Sequence, residues 1–259
     1  MIADTHVHLN DEKYDEILID VLDRAASNNV LLMYIVGYDK YSSIKAIEVC
    51  NKHNGYKNIK LLPIVGLHPS DVKNENDLEL TWLIDLLENN KILAVGEIGI
   101  DLYWEQEYKD MQIKMFRKQL EIADKYNLNV SIHSRDAIQL TYDVLKDYKN
   151  VRGVIHCYSG SVEMAKEFVK LGYKLGIGGV LTYKNSNLYK VIEELDLKHF
   201  VTETDGPYLS PVPYRGKTNE PSYLIEVTKK IADIKQISIE EVESVLYQNA
   251  VDVFRKVGD

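Results

Sequence analysis

Asp4-Thr5-His6-Val7-His8 follows directly on the apolar run Met1-Ile2-Ala3. In a strand, residues i and i+2 point to one face. A strand through this stretch therefore aims both imidazoles at one point. Neutral imidazole is the commonest side-chain metal ligand. Taken alone, the pair is also what a chance His-x-His in a surface turn looks like. The rest of the chain decides between the two.

Downstream, apolar β-branched runs alternate with longer amphipathic stretches. Val30 to Val36 is a continuous apolar run ended by Gly37, the pattern of a buried parallel strand. Further strands are expected over 59–66, 92–95, 129–132, 153–155, 173–176 and 200–203. A helix is expected over 11–28, with Ile17, Leu18, Val21, Leu22 and Ala25 at helical spacing. Others fall over 42–53, 77–89 (with Leu78, Trp82, Leu83, Leu86 and Leu87 inward), 105–127, 137–148, 161–171 and 187–195. Ser161 reads as an N-cap and Gly172 as a C′ residue. A proline-containing loop over 210–221 leads to closing helices over 222–234 and 238–257. Regular βα alternation implies a parallel sheet. Eight such units in a chain of about 250 residues point to a (β/α)8 TIM barrel, a single domain over 1–259. The competing arrangement, an open doubly wound sheet, lacks a Gly-x-Gly-x-x-Gly after an early strand.

The 259 residues are 45% hydrophobic, enough for one large core, and carry a net charge of −9. That charge argues against avid binding along duplex nucleic acid. It leaves open a small anion, or a nucleic-acid end held locally. Cys50 and Cys157 stand in unrelated contexts and indicate no disulfide framework, which suits a reducing, cytoplasmic setting. Neither a signal peptide nor a membrane span is expected.

The polar residues collect at strand ends. His6 and His8 end strand one, His68 strand three, Glu97 strand four, His133 strand five, His156 strand six, and Glu203 and Asp205 strand eight. In a barrel these ends share one rim, where active sites lie. Each residue alone has an ordinary structural reading, such as a turn or a cap. Together they form the His/Asp/Glu cluster expected of a metal site. Four of the seven histidines, one Glu and one Asp make six ligands, which exceed one tetrahedral zinc and suit two divalent ions sharing a carboxylate. A mixed His/carboxylate set fits Zn, Mg, Mn or Ni. Two such ions about 3.5–4 Å apart can activate a water and clamp both ends of a displaced ester.

The sequence resembles the TatD family of metal-dependent deoxyribonucleases, within the amidohydrolase-like barrels. The resemblance rests on Asp4-Thr5-His6-Val7-His8-Leu9, Gly66-Leu67-His68-Pro69, Gly96-Glu97-Ile98-Gly99-Ile100-Asp101 and Ile132-His133-Ser134-Arg135-Asp136-Ala137. It continues through His156-Cys157-Tyr158-Ser159-Gly160, Glu203-Thr204-Asp205-Gly206-Pro207-Tyr208-Leu209, Arg215-Gly216-Lys217-Thr218-Asn219-Glu220-Pro221 and Asn249-Ala250. It implies that His6, His8, Glu97 and Asp205 hold one metal. Glu97, His133 and His156 would hold the second, with Glu97 bridging. The implied activity is metal-dependent hydrolysis of DNA, typically from an end. Two departures are visible: Leu102 where the family often has Tyr, with Tyr103 and Trp104 next, and Gly206 where Ala usually precedes Pro207. The first puts substrate contacts near strand four in question.

Other rim residues have expected roles. His68 would contact the leaving group or a phosphate, or brace the turn at Pro69. Arg135, Arg215 and Lys217 are expected phosphate clamps, since cationic side chains match phosphate oxygens. Glu97 and Asp205 would act at the reacting centre. Glu203 shares the face of Asp205 if strand geometry persists, as an orienter or proton acceptor. Cys157 reads as a small buried neighbour. Tyr158 and Tyr208 are available to stack on a base or line the loops. The expected function is a dinuclear-metal phosphodiesterase cutting DNA at an end or in a single strand, with no membrane or obligate protein partner. The alternatives keep the metals but change the bond, to an ester or amide as in D-aminoacyl-tRNA deacylation, or bind without turnover.

Overall fold

A computed structural model describes residues 1–104 and 106–254. It contains eight strands: β1 (Ile2–Val7), β2 (Val30–Val36), β3 (Lys60–Val65), β4 (Ala94–Asp101), β5 (Asn129–Arg135), β6 (Gly153–Ile155), β7 (Lys174–Ile177) and β8 (Phe200–Thr202). They form one parallel sheet in the order β1 to β8. The two ends of that sheet meet. Val7 bridges Gly206 in parallel, the Thr5 hydroxyl donates to Thr202 O at 3.0 Å, and the Thr202 hydroxyl donates to Ala3 O at 2.8 Å. An open sheet would leave β1 and β8 apart, so the architecture is the expected TIM barrel.

The helices wrap the barrel: α1 (Leu18–Ser27), α2 (Lys40–His53), α3 (Thr81–Asn89), α4 (Lys109–Lys125), α5 (Ile138–Leu145), α6 (Val162–Lys170), α7 (Leu188–Glu194), α8 (Leu224–Lys235) and α9 (Ile239–Val253). Their apolar stripes and the outward strand residues, such as Met33, Ile35, Ile98, Ile100, Val130 and Ile132, make the larger core. A second core fills the barrel interior with Ala3, Leu32, Tyr34, Ile64, Ala94, Val154 and Val201. The end of α9 plugs it: Ala250, Val253 and Phe254 join this cluster, and the Tyr34 hydroxyl donates to Ala250 O at 3.0 Å. One mouth of the barrel is thus apolar and sealed. The opposite mouth is where the polar strand ends converge.

Pairing slips in β1 between Asp4 and Val7, and in β4 between Val95 and Ile98. Bulges of this kind re-aim side chains and concentrate near active sites. Below each slip an alanine, Ala3 or Ala94, joins the interior core; within the slips His6 and Glu97, and just beyond the first His8, join the polar mouth.

Several boundaries differ from the sequence expectation. Strand four does not stop at Val95 but runs on to Asp101. The helix expected from Asp11 begins at Leu18; a 3-10 turn capped by Asp11 precedes it, and Ile17 is 39% exposed rather than packed. Likewise α3 begins at Thr81, Leu78 is 39% exposed, and Leu80, at φ 53°, is the residue buried in its stead. α4 begins at Lys109 after a 3-10 turn at Gln106–Tyr108, and the expected start at Glu105 lies outside the described residues. The last expected residues of the closing helix, 255–257, lie outside them too. The caps of α6 are as expected: Ser161 accepts from Met164 N, and Gly172 sits at φ +89°. Cys50 and Cys157 are free thiols. Among the described residues no helix is long and apolar enough to cross a membrane.

Candidate metal centre

Seven side chains, on or just beyond the ends of six strands, meet at the open mouth. Glu97, buried on β4, is at their centre. Its Oε2 faces His6 Nε2 at 3.3 Å and His8 Nε2 at 3.7 Å. Its Oε1 faces His133 Nδ1 at 2.8 Å, His68 Nε2 at 3.6 Å and His156 Nε2 at 3.9 Å. Asp205 Oδ1 lies 3.5 Å from His8 Nε2 and 3.4 Å from His156 Nε2. Among the described residues four sets could each hold a cation: His6, His8 and Glu97; His6, His156 and Asp205; His68, Glu97 and His133; and, behind the cluster, His156, Cys157 and Glu203.

The other ring nitrogens fix what each histidine offers. His8 Nδ1 donates to Val36 O at 2.8 Å, so its Nε2 carries the lone pair into the cluster. His6 Nδ1 meets Ser131 Oγ at 3.0 Å, and its Nε2 is buried without a hydrogen-bond partner. His133 Nε2 donates to Asp101 Oδ2 at 3.0 Å, which turns Nδ1 toward Glu97. His68 is the exception. Its Nδ1 accepts from Ser70 N at 3.1 Å, so the neutral ring carries its proton on Nε2 and presents a donor. An orphaned buried nitrogen at His6, beside two carboxylates crowded by imidazoles, is poor packing for a protein alone. The arrangement fits divalent cations.

Charge follows the same geometry. Burial opposes ionisation of Glu97, yet His68, His6 and the bond from His133 hold it well below the ordinary carboxylate range. Asp205 is lowered against burial by His156 and His8. Burial drives His6 down and takes His68 down to about 3, keeping it neutral. Against burial, Asp101 and Glu97 raise His133 to about 9. Buried cationic character held by two carboxylates is a place where a metal ion can replace a proton.

Comparison with known proteins accords with this arrangement. The family model described as TatD related DNase matches residues 3–255. The chain is 37% identical over 258 residues to the uncharacterized metal-dependent hydrolase YabD of Bacillus subtilis, covering 98% of this chain and 99% of that one. It belongs to the TatD-related DNase family. A human TatD relative, deoxyribonuclease TATDN3, is 30% identical over 264 residues, covering 99% of this chain and 95% of its own. The crystal structure of YJJV, a TatD homolog from Escherichia coli, superposes with a TM-score of 0.90 at 29% identity, covering 98% of this chain and 97% of that one. Family membership makes the protein a metal-dependent hydrolase.

Around the cluster lies a cavity of about 770 Å³, lined among others by His68, Trp104, Arg135, Tyr158 and Tyr208. Of the three expected phosphate clamps, only Arg135 lines it. Arg215 stacks over the Tyr183 ring at 4.0 Å and donates to its hydroxyl, while Lys217 lies 5.7 Å from the Tyr214 ring, both outside the cavity wall. Glu203 is also off the wall. Strand geometry does not persist from Glu203 to Asp205, because Asp205 adopts φ 55°. Glu203 and Asp205 instead take opposite sides of one imidazole: Glu203 Oε1 lies 3.1 Å from His156 Nδ1, Asp205 Oδ1 faces its Nε2. Gly176 makes this possible, since a Cβ there would stand 2.2 Å from Glu203 Oε2. Burial pushes the Cys157 thiol far up, consistent with an inert neighbour. Tyr158 is buried with its hydroxyl donating to Ser161 O, leaving Tyr208 as the exposed ring of the pair.

Two residues with no role assigned from sequence emerge here. Ser131 anchors His6, and Asp101 anchors His133. Both lie on the face of an expected ligand at strand spacing: Ser131 two before His133, Asp101 four after Glu97. Period-2 reading along an unbroken β4 would have found Asp101.

Proposed function

We propose that this protein hydrolyses DNA phosphodiester bonds, working from a strand end, with two divalent ions held by His6, His8, Glu97, His133, His156 and Asp205. The observation that carries the reading is the orientation of Glu97, whose two oxygens face two different groups of histidines. A carboxylate so placed can serve two cations at once. Divalent ions held by these residues would supply polarisation of a phosphoryl oxygen and a lowered pKa for water.

The chain's own residues supply the rest. Asp101 and Ser131 hold His133 and His6 in their rotamers and tautomers. Glu203, packed behind His156, orients that ring. His68, neutral, lining the cavity and with Nε2–H on the side of Glu97, would donate to a phosphate or leaving-group oxygen. Arg135 would contact a phosphate at the cavity wall, and Arg215 and Lys217, outside that wall, would reach phosphates farther along the strand. The net charge of −9 makes these local contacts, rather than long-range attraction, the source of grip.

The test is release of nucleotides from end-labelled oligonucleotides by protein reconstituted with Mn, Mg, Zn or Ni. Release that stops on chelation supports the reading. No release with any of these ions, or release of an amino acid from aminoacyl-tRNA instead, sinks it.

A further inference from the structure

Immediately after β4 the chain exposes two large aromatic side chains at the lip of the cavity. Trp104 is 65% exposed and Tyr103 is 52% exposed, whereas the other tryptophan, Trp82, is only 6% exposed. The two rings meet edge to face with centroids 4.7 Å apart. The Arg135 guanidinium, from the end of β5, lies 4.1 Å from the centre of the Tyr103 ring and 5.5 Å from that of Trp104. Trp104 and Arg135 line the same cavity as Glu97, His133 and Asp205.

This is an ordered exposure. Asp101 Oδ1 accepts from the backbone N–H groups of both Tyr103 and Trp104 at 2.9 Å each, while its Oδ2 holds His133. One buried carboxylate thus fixes both the aromatic turn and a histidine of the metal cluster. Aromatic rings left in water forgo burial that is worth about 1.5–3 kcal/mol for a large apolar side chain, so an exposed pair whose backbone is anchored at a cavity lip marks a surface that receives something.

We infer that Tyr103, Trp104 and Arg135 form a stacking platform for an unpaired base next to the scissile phosphate. The inference rests on the nucleic-acid reading above. Every base has a π-face, so stacking holds a strand without reading its sequence. Bases inside a duplex present no free face, which confines the platform to ends and single strands. Arg135 joins two functions: its plane extends the aromatic surface and its N–H groups remain directed to phosphate.

The test uses two fluorescein-labelled phosphorothioate pentanucleotides, which resist cleavage. One carries thymine throughout; the other has the same backbone with tetrahydrofuran spacers in place of the bases. Binding is read by anisotropy on the metal-loaded protein. Wild type should favour the base-bearing strand by roughly tenfold, equivalent to about 1.4 kcal/mol. Trp104→Ala and Tyr103→Ala should each bring that ratio toward unity, and Trp104→Phe should restore most of it. With unlabelled strands, the base-bearing one should quench tryptophan emission in wild type but not in Trp104→Phe, because buried Trp82 is out of reach. Equal affinities for the two strands in wild type, or an unchanged ratio in Trp104→Ala, would overturn the platform even if the enzyme cleaves DNA. A ratio that behaves as expected in a protein that cleaves no phosphodiester would keep the platform and overturn the nuclease reading.

Discussion

Replacing Asp101 with Asn tests whether the metal cluster depends on its outer support. The Asp101 side chain is 2% exposed and spans two partners, His133 Nε2 at 3.0 Å and the amides of Tyr103 and Trp104 at 2.9 Å. An asparagine fits the same space. Its carbonyl oxygen can still accept from the two amides, which turns its NH2 toward His133. Two donors then face each other, unless His133 moves its proton to Nδ1, the nitrogen that faces Glu97. Either way Nδ1 loses its lone pair as a ligand or the ring loses its anchor. A hydrogen bond to a charged group contributes about 1.5–3 kcal/mol, which converts to between roughly tenfold and 150-fold. The cost of removing a carboxylate behind a ligating histidine, about 10–100-fold in metal affinity or activity, falls in the same range. We therefore expect Asp101→Asn to weaken Mn2+ binding by about 10–100-fold in calorimetric titration, with a similar fall in kcat/KM on a chromogenic phosphodiester at subsaturating metal. Raising the metal concentration should recover much of the activity. Mn2+ affinity within about threefold of wild type would refute the claim that Asp101 prepares His133 as a ligand.

Other outcomes follow from the same geometry. Glu97→Gln should reduce hydrolysis by at least about a thousandfold while far-UV circular dichroism stays unchanged, because an amide cannot act as an anion toward two cations and the cores are built elsewhere; turnover within a few-fold of wild type would show that Glu97 does not bridge. Exhaustive chelation should abolish activity, and elemental analysis after reconstitution should find up to two ions per chain; a fully active metal-free protein would remove the mechanism. In the metal-free protein His133, raised to about 9, is protonated near neutrality, so an ion must displace that proton. Metal affinity should rise with pH up to about 9, and calorimetry in buffers of different ionisation enthalpy should register proton release; a pH-independent affinity would contradict the assignment. Arg215→Ala should lower kcat/KM on long oligonucleotides by about tenfold and make the salt dependence shallower, while a dinucleotide, too short to reach beyond the cavity wall, should not register the change.

The fold was legible because its signals are redundant. Each buried parallel strand is a short apolar run, and each is followed by a helical stretch, so an error in one boundary does not alter the count. The boundaries that moved have local causes. Asp11 caps a 3-10 turn whose Tyr14 is buried and bonds Asn219 O, which delays α1 to Leu18. Asp77 accepts from Thr81 N and its hydroxyl, which starts α3 late and leaves Leu78 in solvent. In both places a polar side chain competes for backbone N–H groups, and an apolar pattern carries no trace of that competition.

The site was legible only as far as parity along a strand could be trusted. His6 and His8 share a face because nothing intervenes between them. Glu97 and Asp101 share one as well, but Gly96 and Gly99 read as the end of a strand rather than its interior. Gly99 has φ +146°, and a Cβ there would stand 2.0 Å from His133 O, so this glycine lets β4 approach β5 closely enough to continue pairing. The residue that looked like a strand breaker is what brings Asp101 within reach of His133. The reverse holds at Asp205, where left-handed backbone turns the chain and sends Glu203 and Asp205 to opposite edges of His156. Arrangements of this kind depend on where backbone leaves regular geometry. In this barrel such departures, at the slips in β1 and β4 and at Asp205, carry four of the six candidate ligands, His6, His8, Glu97 and Asp205. A parity rule therefore names the candidates within one strand. Which nitrogen or oxygen each of them presents is decided by partners on the neighbouring strands, Ser131 and Asp101 among them, that no spacing in the sequence connects to the ligand they hold.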